Sequence, residues 1–446
     1  MADVTRRIGL SLGADICWPI AFTEILKRLD LAVPVGGDTV RFEVERMTID
    51  PFDLREPKRY DVVVDRLTHW YHTRREWIKK AVLMDDVYVF NNPWTVQSVE
   101  KLSAYAGMIR LGFPIPKTWL VPPHAYEPSD DLDYTLRTYA RHFDLGAIGS
   151  ELGYPMYMKP YDGGGWRAVS RIHDEPALRA TYDDSGKLVM TLQESIEPHD
   201  HFVRCIGLGP QTRLVRYDAG APHHDRYTDS SPDDYLSADD RAVIEGTTLI
   251  INAFFGWDFN SCELLHRSGA EGGGADGGGG AGAGGGAAPG GDSGAGSSAD
   301  AWVPIDFANP CPDSQVTSIH YHFPWVIEAN LRWALFAAAT GRRVKRVDWD
   351  SFIARVEPEM TLRERIDALL PLVHERFDTA AFEDFCGEHL SHLHEVTHGW
   401  FGTDAARDAV RQKVVAVFPE HEVDEFTDLF FSRLQQWRDR NPVEGA

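Results

Sequence analysis

Apolar and polar positions in the first ninety residues follow the pattern of a parallel α/β unit. Residues 7–35 predict a strand, a glycine turn at Ile8-Gly9-Leu10-Ser11-Leu12-Gly13, and a helix near Ala21–Leu29. Asp61-Val62-Val63-Val64-Asp65 is a short apolar run between charges, the pattern of a strand buried on both faces. Val87-Tyr88-Val89-Phe90 repeats it and ends at Asn91-Asn92-Pro93. Strands alternating with helices predict an α/β first domain. A helix is expected next over Thr95–Arg110. Its apolar stripe reads as Val99, Leu102, Ala106 and Ile109, with Thr95 as N-cap and Lys101 on the solvated flank. Gly112 ends that helix, and Pro114-Ile115-Pro116 forces an extended exit.

Further on, the pattern predicts a strand over Tyr154–Lys159, a glycine run at 163–165 and a strand near Leu188–Glu194. Residues 202–208 and 212–217 read as a hairpin. A helix near 239–255 leads to a strand at Cys262–Leu265, and Trp302–Phe307 forms the next. Between those two strands, residues 268–300 are nearly all Gly, Ala, Ser and Asp. Such a segment cannot bury enough surface to fold, and lengthening a loop costs little. It is expected to be a disordered insertion in a hairpin tip, dispensable for activity. The last hundred residues, 346–446, read as amphipathic helices. Their stripes include Val414, Val417 and Phe418, then Phe426, Leu429, Phe430, Leu434 and Trp437; these pack on the body or build a homo-oligomer. Four segments follow from this: 1–94, 95–196, 197–345 and 346–446.

A length of 446 residues calls for two to four domains, and 43% hydrophobic with 25% charged residues is a globular balance. The net charge of -23, with no long basic run, argues against a nucleic acid or an anionic membrane as partner. A small or a cationic substrate fits better. No apolar stretch reaches the roughly 20 residues that cross a bilayer. The five cysteines are scattered without a C-x-x-C pair, which suits a reducing cytoplasm. Thr5-Arg6-Arg7 is a poor export signal, because Asp15 breaks the apolar run behind it.

Several charged residues sit where charge is expensive. Lys159 lies in the apolar strand Met156-Tyr157-Met158-Lys159-Pro160, so it must find an anion or reach solvent. Gly163, Gly164 and Gly165 follow, and glycines let backbone N–H groups close over phosphate oxygens. Gln193-Glu194-Ser195-Ile196 ends a strand with polar groups, either as an exposed strand end or as a linker gripping a base. Glu263 and Asp306 are carboxylates within apolar strands, each costing several kcal/mol if left unpaired. Pairing of the two strands across the insertion would turn both acids, with Asn309, toward one cleft. Hard oxygen ligands of this kind suit Mg2+.

Taken in order, these pieces resemble the ATP-grasp superfamily, most of all its ribosomal-protein glutamate ligase and glutathione synthetase branches. Phe90-Asn91-Asn92-Pro93 is similar to that family's entry strand, and Lys101 to its helix lysine. Gly112-Phe113-Pro114-Ile115-Pro116-Lys117-Thr118 resembles its Gly-x-Pro-x-Pro-x-Thr step. Tyr154 to Pro160 with Gly163–Gly165 resembles the second phosphate lysine and flexible loop, and Leu192 to Ile196 the adenine hinge. Phe202-Val203-Arg204 resembles the arginine-bearing strand, and Glu263, Asp306 and Asn309 the metal ligands. The chain departs from the family in having two residues rather than one between Asp306 and Asn309, and Pro312-Asp313 where Pro-Gly is usual. A bulge would absorb the extra residue. Glu328-Ala329-Asn330 has the usual spacing and is the rival, ranked lower because it opens a helical run.

The resemblance covers about residues 8–340. It implies an α/β (α+β) ATP-grasp fold: an N-terminal Rossmann-like domain, two α+β lobes clasping ATP, and a helical C-terminal extension outside the family core. The implied activity is an ATP- and Mg2+-dependent carboxylate–amine (or thiol) ligase working through an acylphosphate, with two metal ions and Mn2+ as alternative. Its partners would be a small-molecule or peptide carboxylate and an amine or thiol acceptor. Lys101, Lys159, Gly163, Gly164, Gly165, Gln193, Glu194 and Ile196 would bind the nucleotide. Arg204 and Lys159 would act in catalysis, and Glu263, Asp306 and Asn309 would hold the metal.

Rival readings are an ATP-grasp kinase, a nucleotide-binding protein without turnover, and a zinc hydrolase. The last rests on His394-Glu395-Val396-Thr397-His398, an H-E-x-x-H pattern, with Glu422 as third ligand. Substrate contacts are expected among His320, His322, Arg216, His223 and His224.

Overall fold

The structure, a computed structural model, describes residues 2–443 apart from 14, 58, 69–70, 97–100, 141, 163–166 and 269–297. The N-terminal unit runs β1 (Asp3–Ser11), α1 (Cys17–Leu29), β2 (Val33–Val35), β3 (Asp38–Arg46), β4 (Val62–Asp65), α2 (His72–Asp85) and β5 (Tyr88–Val89). Its five-stranded sheet has the order β2-β3-β1-β4-β5, parallel except for β2. The three valines of β4 explain its interior place. Val62 and Val64 enter the main core with Trp18, Phe22 and Ile25 of α1, while Val63 faces Ile78 and Ala81 of α2. Both faces are covered, as the unbroken apolar run requires.

Next come α3 (Lys101–Arg110), β6 (Thr118–Val121), α4 (Leu132–Tyr139), α5 (Leu145–Leu152), β7 (Met156–Pro160), β8 (Ser170–Ile172), α6 (Glu175–Asp184) and β9 (Met190–Glu194). The four strands form an antiparallel sheet of order β6-β9-β7-β8. This small lobe has an apolar core of its own, with Met156, Met158 and Leu192 packed on Leu145, Ile148 and Leu178.

The expected α3 stripe is out of phase with the structure. The buried face is Lys101, Ala104, Tyr105 and Met108; Ile109 is 58% exposed, Ala106 is exposed, and Val99 falls outside the described residues. Counting apolar residues placed Lys101 on the flank. It lies instead on the inner face, 4% exposed, because a carboxylate two hundred residues away compensates its charge. Thr95, the expected N-cap, stands just before residues 97–100, which lie outside the described residues. Its hydroxyl donates to the carbonyls of Asn92 (3.1 Å) and Phe255 (2.6 Å), tying a turn to the helix behind it.

The large lobe contains β10 (His199–Leu208), β11 (Gln211–Arg216), α7 (Ala238–Phe255), β12 (Phe259–Arg267), β13 (Trp302–Pro310), α8 (Val316–Ile319) and α9 (Phe323–Thr340). Its antiparallel sheet has the order β11-β10-β12-β13. β12 and β13 pair across the Gly-rich insertion, so the insertion does occupy a hairpin tip; its interior lies outside the described residues. The C-terminal helices are α10 (Trp349–Ile353), α11 (Leu362–Phe377), α12 (Thr379–His389), α13 (Leu393–Phe401), α14 (Asp404–Val417) and α15 (Val423–Arg440). They pack on the body: Leu393, Trp400, Val410, Phe430 and Leu434 join one core with α1, α7 and α9.

Candidate active site

Register decides which side chains meet. Glu263 on β12 stands opposite Asp306 on β13, and Ser261 stands opposite Asn309. Two steps on β12 therefore face three on β13, which is the bulge needed to bring Asp306 and Asn309 to one side. A second irregularity follows at once, since Leu264 pairs with Pro304. Ile305, skipped there, turns its carbonyl to the cleft, where it accepts from Tyr105 Oη (2.9 Å) and Lys159 Nζ (3.3 Å). Arg204 on β10 pairs in register with Glu263 and donates to its carboxylate and to the Tyr227 hydroxyl. The guanidinium also lies over the rings of Tyr217 and Tyr227, 5.4 and 5.1 Å from their centroids.

The small lobe and α3 supply the facing cations. On β7, Met156 and Met158 turn to the core, so the period of two points Tyr157 and Lys159 at the cleft. Lys159 Nζ donates to Gln193 Oε1 (2.7 Å) and Tyr105 Oη (3.2 Å). Lys101 Nζ pairs with Asp306 Oδ2 at 2.7 Å. Burial pulls the Lys159 ammonium below its ordinary value, against the pull of Asp306 and Glu263. Burial alone would raise Asp306, but Lys101, Lys159 and Arg204 outweigh it and hold the carboxyl below its usual range. Arg204 is likewise buried, yet Glu263 keeps its value above the ordinary one. Three cations and two carboxylates thus interleave along one cleft, which encloses about 270 Å³.

An N-terminal, mostly parallel sheet is followed by two lobes, each with a four-stranded antiparallel sheet, that close on a shared cleft; this agrees with the Rossmann-like domain and two clasping lobes that the resemblance implied. The fold is an ATP-grasp fold. No family model matches the chain, and no curated protein matches it. It is similar to the solved structure of D-cycloserine synthetase DcsG at 14% identity, with a TM-score of 0.40 over 69% of this chain and 92% of that one. A RimK-domain ATP-grasp protein from Sphaerobacter thermophilus shows 14% identity and a TM-score of 0.39 over 69% and 92%. The D-alanine–D-alanine ligase of Bacillus anthracis, complexed with ATP, shows 10% identity and a TM-score of 0.41 over 84% and 99%. What makes this an ATP-grasp fold is the chain's own strand order and cleft.

The cleft's residues fit a nucleotide and a hard metal ion. Ile196, Leu265 and Val303, with Phe202 and Ile305, form a separate apolar cluster beside the β9–β10 connection, suited to the faces of a base. Among the described residues no three His, Cys, Asp or Glu side chains form a ready cage. The donor set is two carboxylates and an amide, which suits Mg2+ because that ion keeps waters and phosphate oxygens in its shell. Asn309 Nδ2 lies 3.4 Å from Asp306 Oδ1, and a half-turn of the amide would present its oxygen instead.

Other expected residues fall differently. The Glu194 side chain leaves the cleft and accepts from the Lys117 backbone N–H at 3.0 Å, whereas Gln193 and Ile196 line it. Gly163, Gly164 and Gly165 lie outside the described residues, between Asp162 and Arg167 of the cleft wall. His320 and His322 are not in the cleft. Both are buried, which lowers their values to about 4 and about 3, and His322 bonds to Arg213 (3.2 Å) and to the Thr228 carbonyl (2.8 Å). Arg216 stacks over Tyr235 at 5.6 Å, His224 packs against Phe426, and the His223 side chain is outside the description. The cleft wall beyond Arg204 is built from Tyr217, Arg226, Tyr227 and Asp313 instead. Sequence reasoning missed the first three, since their order along the chain carries no motif; the Pro312-Asp313 departure was the only signal.

The rival metal motifs are structural. Glu328 is buried on α9 and pairs with His394 (3.1 Å) and Arg332 (3.3 Å), while Asn330 Nδ2 bonds back to the Val326 carbonyl at 2.8 Å. In the H-E-x-x-H helix, α13, the other His394 nitrogen meets the Asn441 carbonyl (3.1 Å), and His398 Nε2 meets the Arg438 carbonyl (3.2 Å). Glu395 is exposed. Glu422 precedes the eighteen-residue α15, and those carbonyls end it, about 27 Å away. The histidines therefore strap α13 to the C-terminus of α15. Hydrogen bonding to Glu328 raises His394 above 6.5, so its contribution is full below that pH and fades as pH rises through the raised value. His394→Ala should lower the melting temperature more at pH 5.5 than at pH 9, with no stoichiometric zinc in wild type by metal analysis.

Proposed function

We propose that this protein is an ATP- and Mg2+-dependent ligase that activates a carboxylate as an acylphosphate and joins it to an amine or thiol. The observation that carries this reading is the interleaving of Lys101, Lys159 and Arg204 with Glu263 and Asp306 on facing walls of one cleft. Lys101 and Lys159 would neutralise phosphate oxygens of ATP, and Glu263, Asp306 and Asn309 would hold Mg2+. ATP and Mg2+ bound there supply the phosphoryl group and its charge neutralisation. Arg204 would stabilise charge on the group in transfer as a substrate carboxylate oxygen attacks phosphorus and ADP departs. The acceptor then attacks the acyl carbon, phosphate leaves, and the acceptor loses a proton. Gln193, Glu194 and Ile196 at the β9–β10 connection would hold the base, Glu194 through its backbone, and Gly163, Gly164 and Gly165 would bind the phosphates.

The carboxylate is a small molecule or peptide, held beyond Arg204 where Tyr217, Arg226 and Tyr227 line the wall. The five cysteines are free thiols, and the described residues include no helix long and apolar enough to cross a membrane; we place the protein in the cytoplasm. The test is ADP release across a panel of carboxylates and amines, following the fate of phosphate. Free phosphate with a new amide is expected. Phosphate retained on the product would make the protein a kinase, and tight ATP binding without turnover would make it a binding module.

A further inference from the structure

The helices after residue 345 lie outside the two lobes, yet α11 touches both halves of the site. It crosses α7 at close range: a Cβ on Gly246 would lie 2.6 Å from Ile366 Cγ2. From that crossing Arg365, only 8% exposed, reaches the C-terminal end of α3. Its guanidinium donates to the carbonyls of Leu111 (3.4 Å) and Pro358 (2.8 Å). It also fills the space beside Gly112, where a Cβ would sit 2.2 Å from Nη1 and where φ is +77°. The last carbonyls of a helix lack partners within it and carry partial negative charge. Arg365 thus caps α3 from outside the lobe.

What α3 carries makes this contact matter. Its ten residues span about 15 Å, with Lys101 at the far end. Lys101 N donates to the Tyr161 carbonyl (2.8 Å), and Tyr105 in the middle bonds to the Ile305 carbonyl. The other half of the site is reached from the start of α11. Leu362 N donates to Asp300 Oδ1 at 3.1 Å, two residues before β13, the strand that carries Asp306. A capping box of Thr361 and Glu364 makes that turn of α11 rigid.

We propose that α11 is a clamp that sets the helix bearing Lys101 against the strand bearing Asp306, with Arg365 as its positioning residue. The inference rests on Lys101 and Asp306 belonging to a nucleotide site. It assigns the C-terminal extension a part in nucleotide binding and requires Arg365 to act through Lys101.

A double-mutant cycle on the full chain tests it, with calorimetric binding of the Mg2+ complex of a non-hydrolysable ATP analogue as readout. Arg365→Ala should weaken binding about tenfold, and Arg365→Lys should recover part of the loss. In a Lys101→Ala background, Arg365→Ala should cost less than twofold. An equal loss in both backgrounds, or no loss in a folded variant, overturns the clamp and leaves the nucleotide site standing. No binding by wild type overturns the nucleotide site itself, and the clamp with it. Asp300→Ala, at an exposed position, serves if Arg365→Ala does not fold: a threefold or greater loss supports the clamp, and wild-type affinity overturns it.

Discussion

Glu263→Gln should reduce turnover by about 10³-fold or more while the chain still unfolds cooperatively. The amide keeps the shape of the side chain and still accepts from Arg204, but it is a poor ligand for Mg2+ and carries no charge. Removing one member of a buried ion pair costs about 3–5 kcal/mol in general. Here the loss should be smaller, because the hydrogen bond survives and Asp313 also acts on Arg204. A drop of a few degrees in melting temperature is therefore expected beside a near-complete loss of activity. Steady-state ADP release and thermal unfolding of the same preparation check this. Wild-type activity would remove Glu263 from the proposed metal site.

Lys159→Ala should weaken ATP binding at least tenfold, about 1.4 kcal/mol. Its effect on stability has a different sign structure. Burial lowers the Lys159 value below 10.5, so across that window the unfolded chain binds more protons than the folded one. Wild-type stability should then rise with pH as Lys159 deprotonates, and the variant should lack that rise. Against this gain, the variant loses the stem's packing and leaves Gln193 Oε1 without its 2.7 Å donor. Calorimetric titration with an ATP analogue, and melting temperatures at pH 7 and pH 9.5, separate the two effects. Undiminished ATP affinity would show that Lys159 is only a buried lysine satisfied by Gln193.

The two expectations differ in how far the chain announced them. Glu263 and Asp306 stand out because a carboxylate in an apolar strand demands a partner, and even the bulge between Asp306 and Asn309 follows from the extra residue between them. Lys159 is legible for the same reason. Lys101 is legible only through the resemblance, because the apolar stripe of its helix places it on the solvated flank and its burial depends on Asp306. His394 and His398 mislead in the opposite way: their spacing fits zinc, but their ring nitrogens serve α15 and α9. Arg365 gave no signal at all, since its function lies in two carbonyls and a glycine far along the chain.

By itself the sequence determined much of the element order: the strand–helix alternation of the first domain, the strands carrying Lys159, Glu263 and Asp306, the hairpin carrying the insertion, and acids able to face one cleft across it. These follow from periodicity, glycine and proline placement and the cost of burying charge, all of which act locally. Only the tertiary structure decided which cation faces which carboxylate, which histidines are structural, and how α11 reaches the site. Those outcomes depend on side chains brought together from distant segments, where one ion pair or one missing Cβ outweighs any local preference.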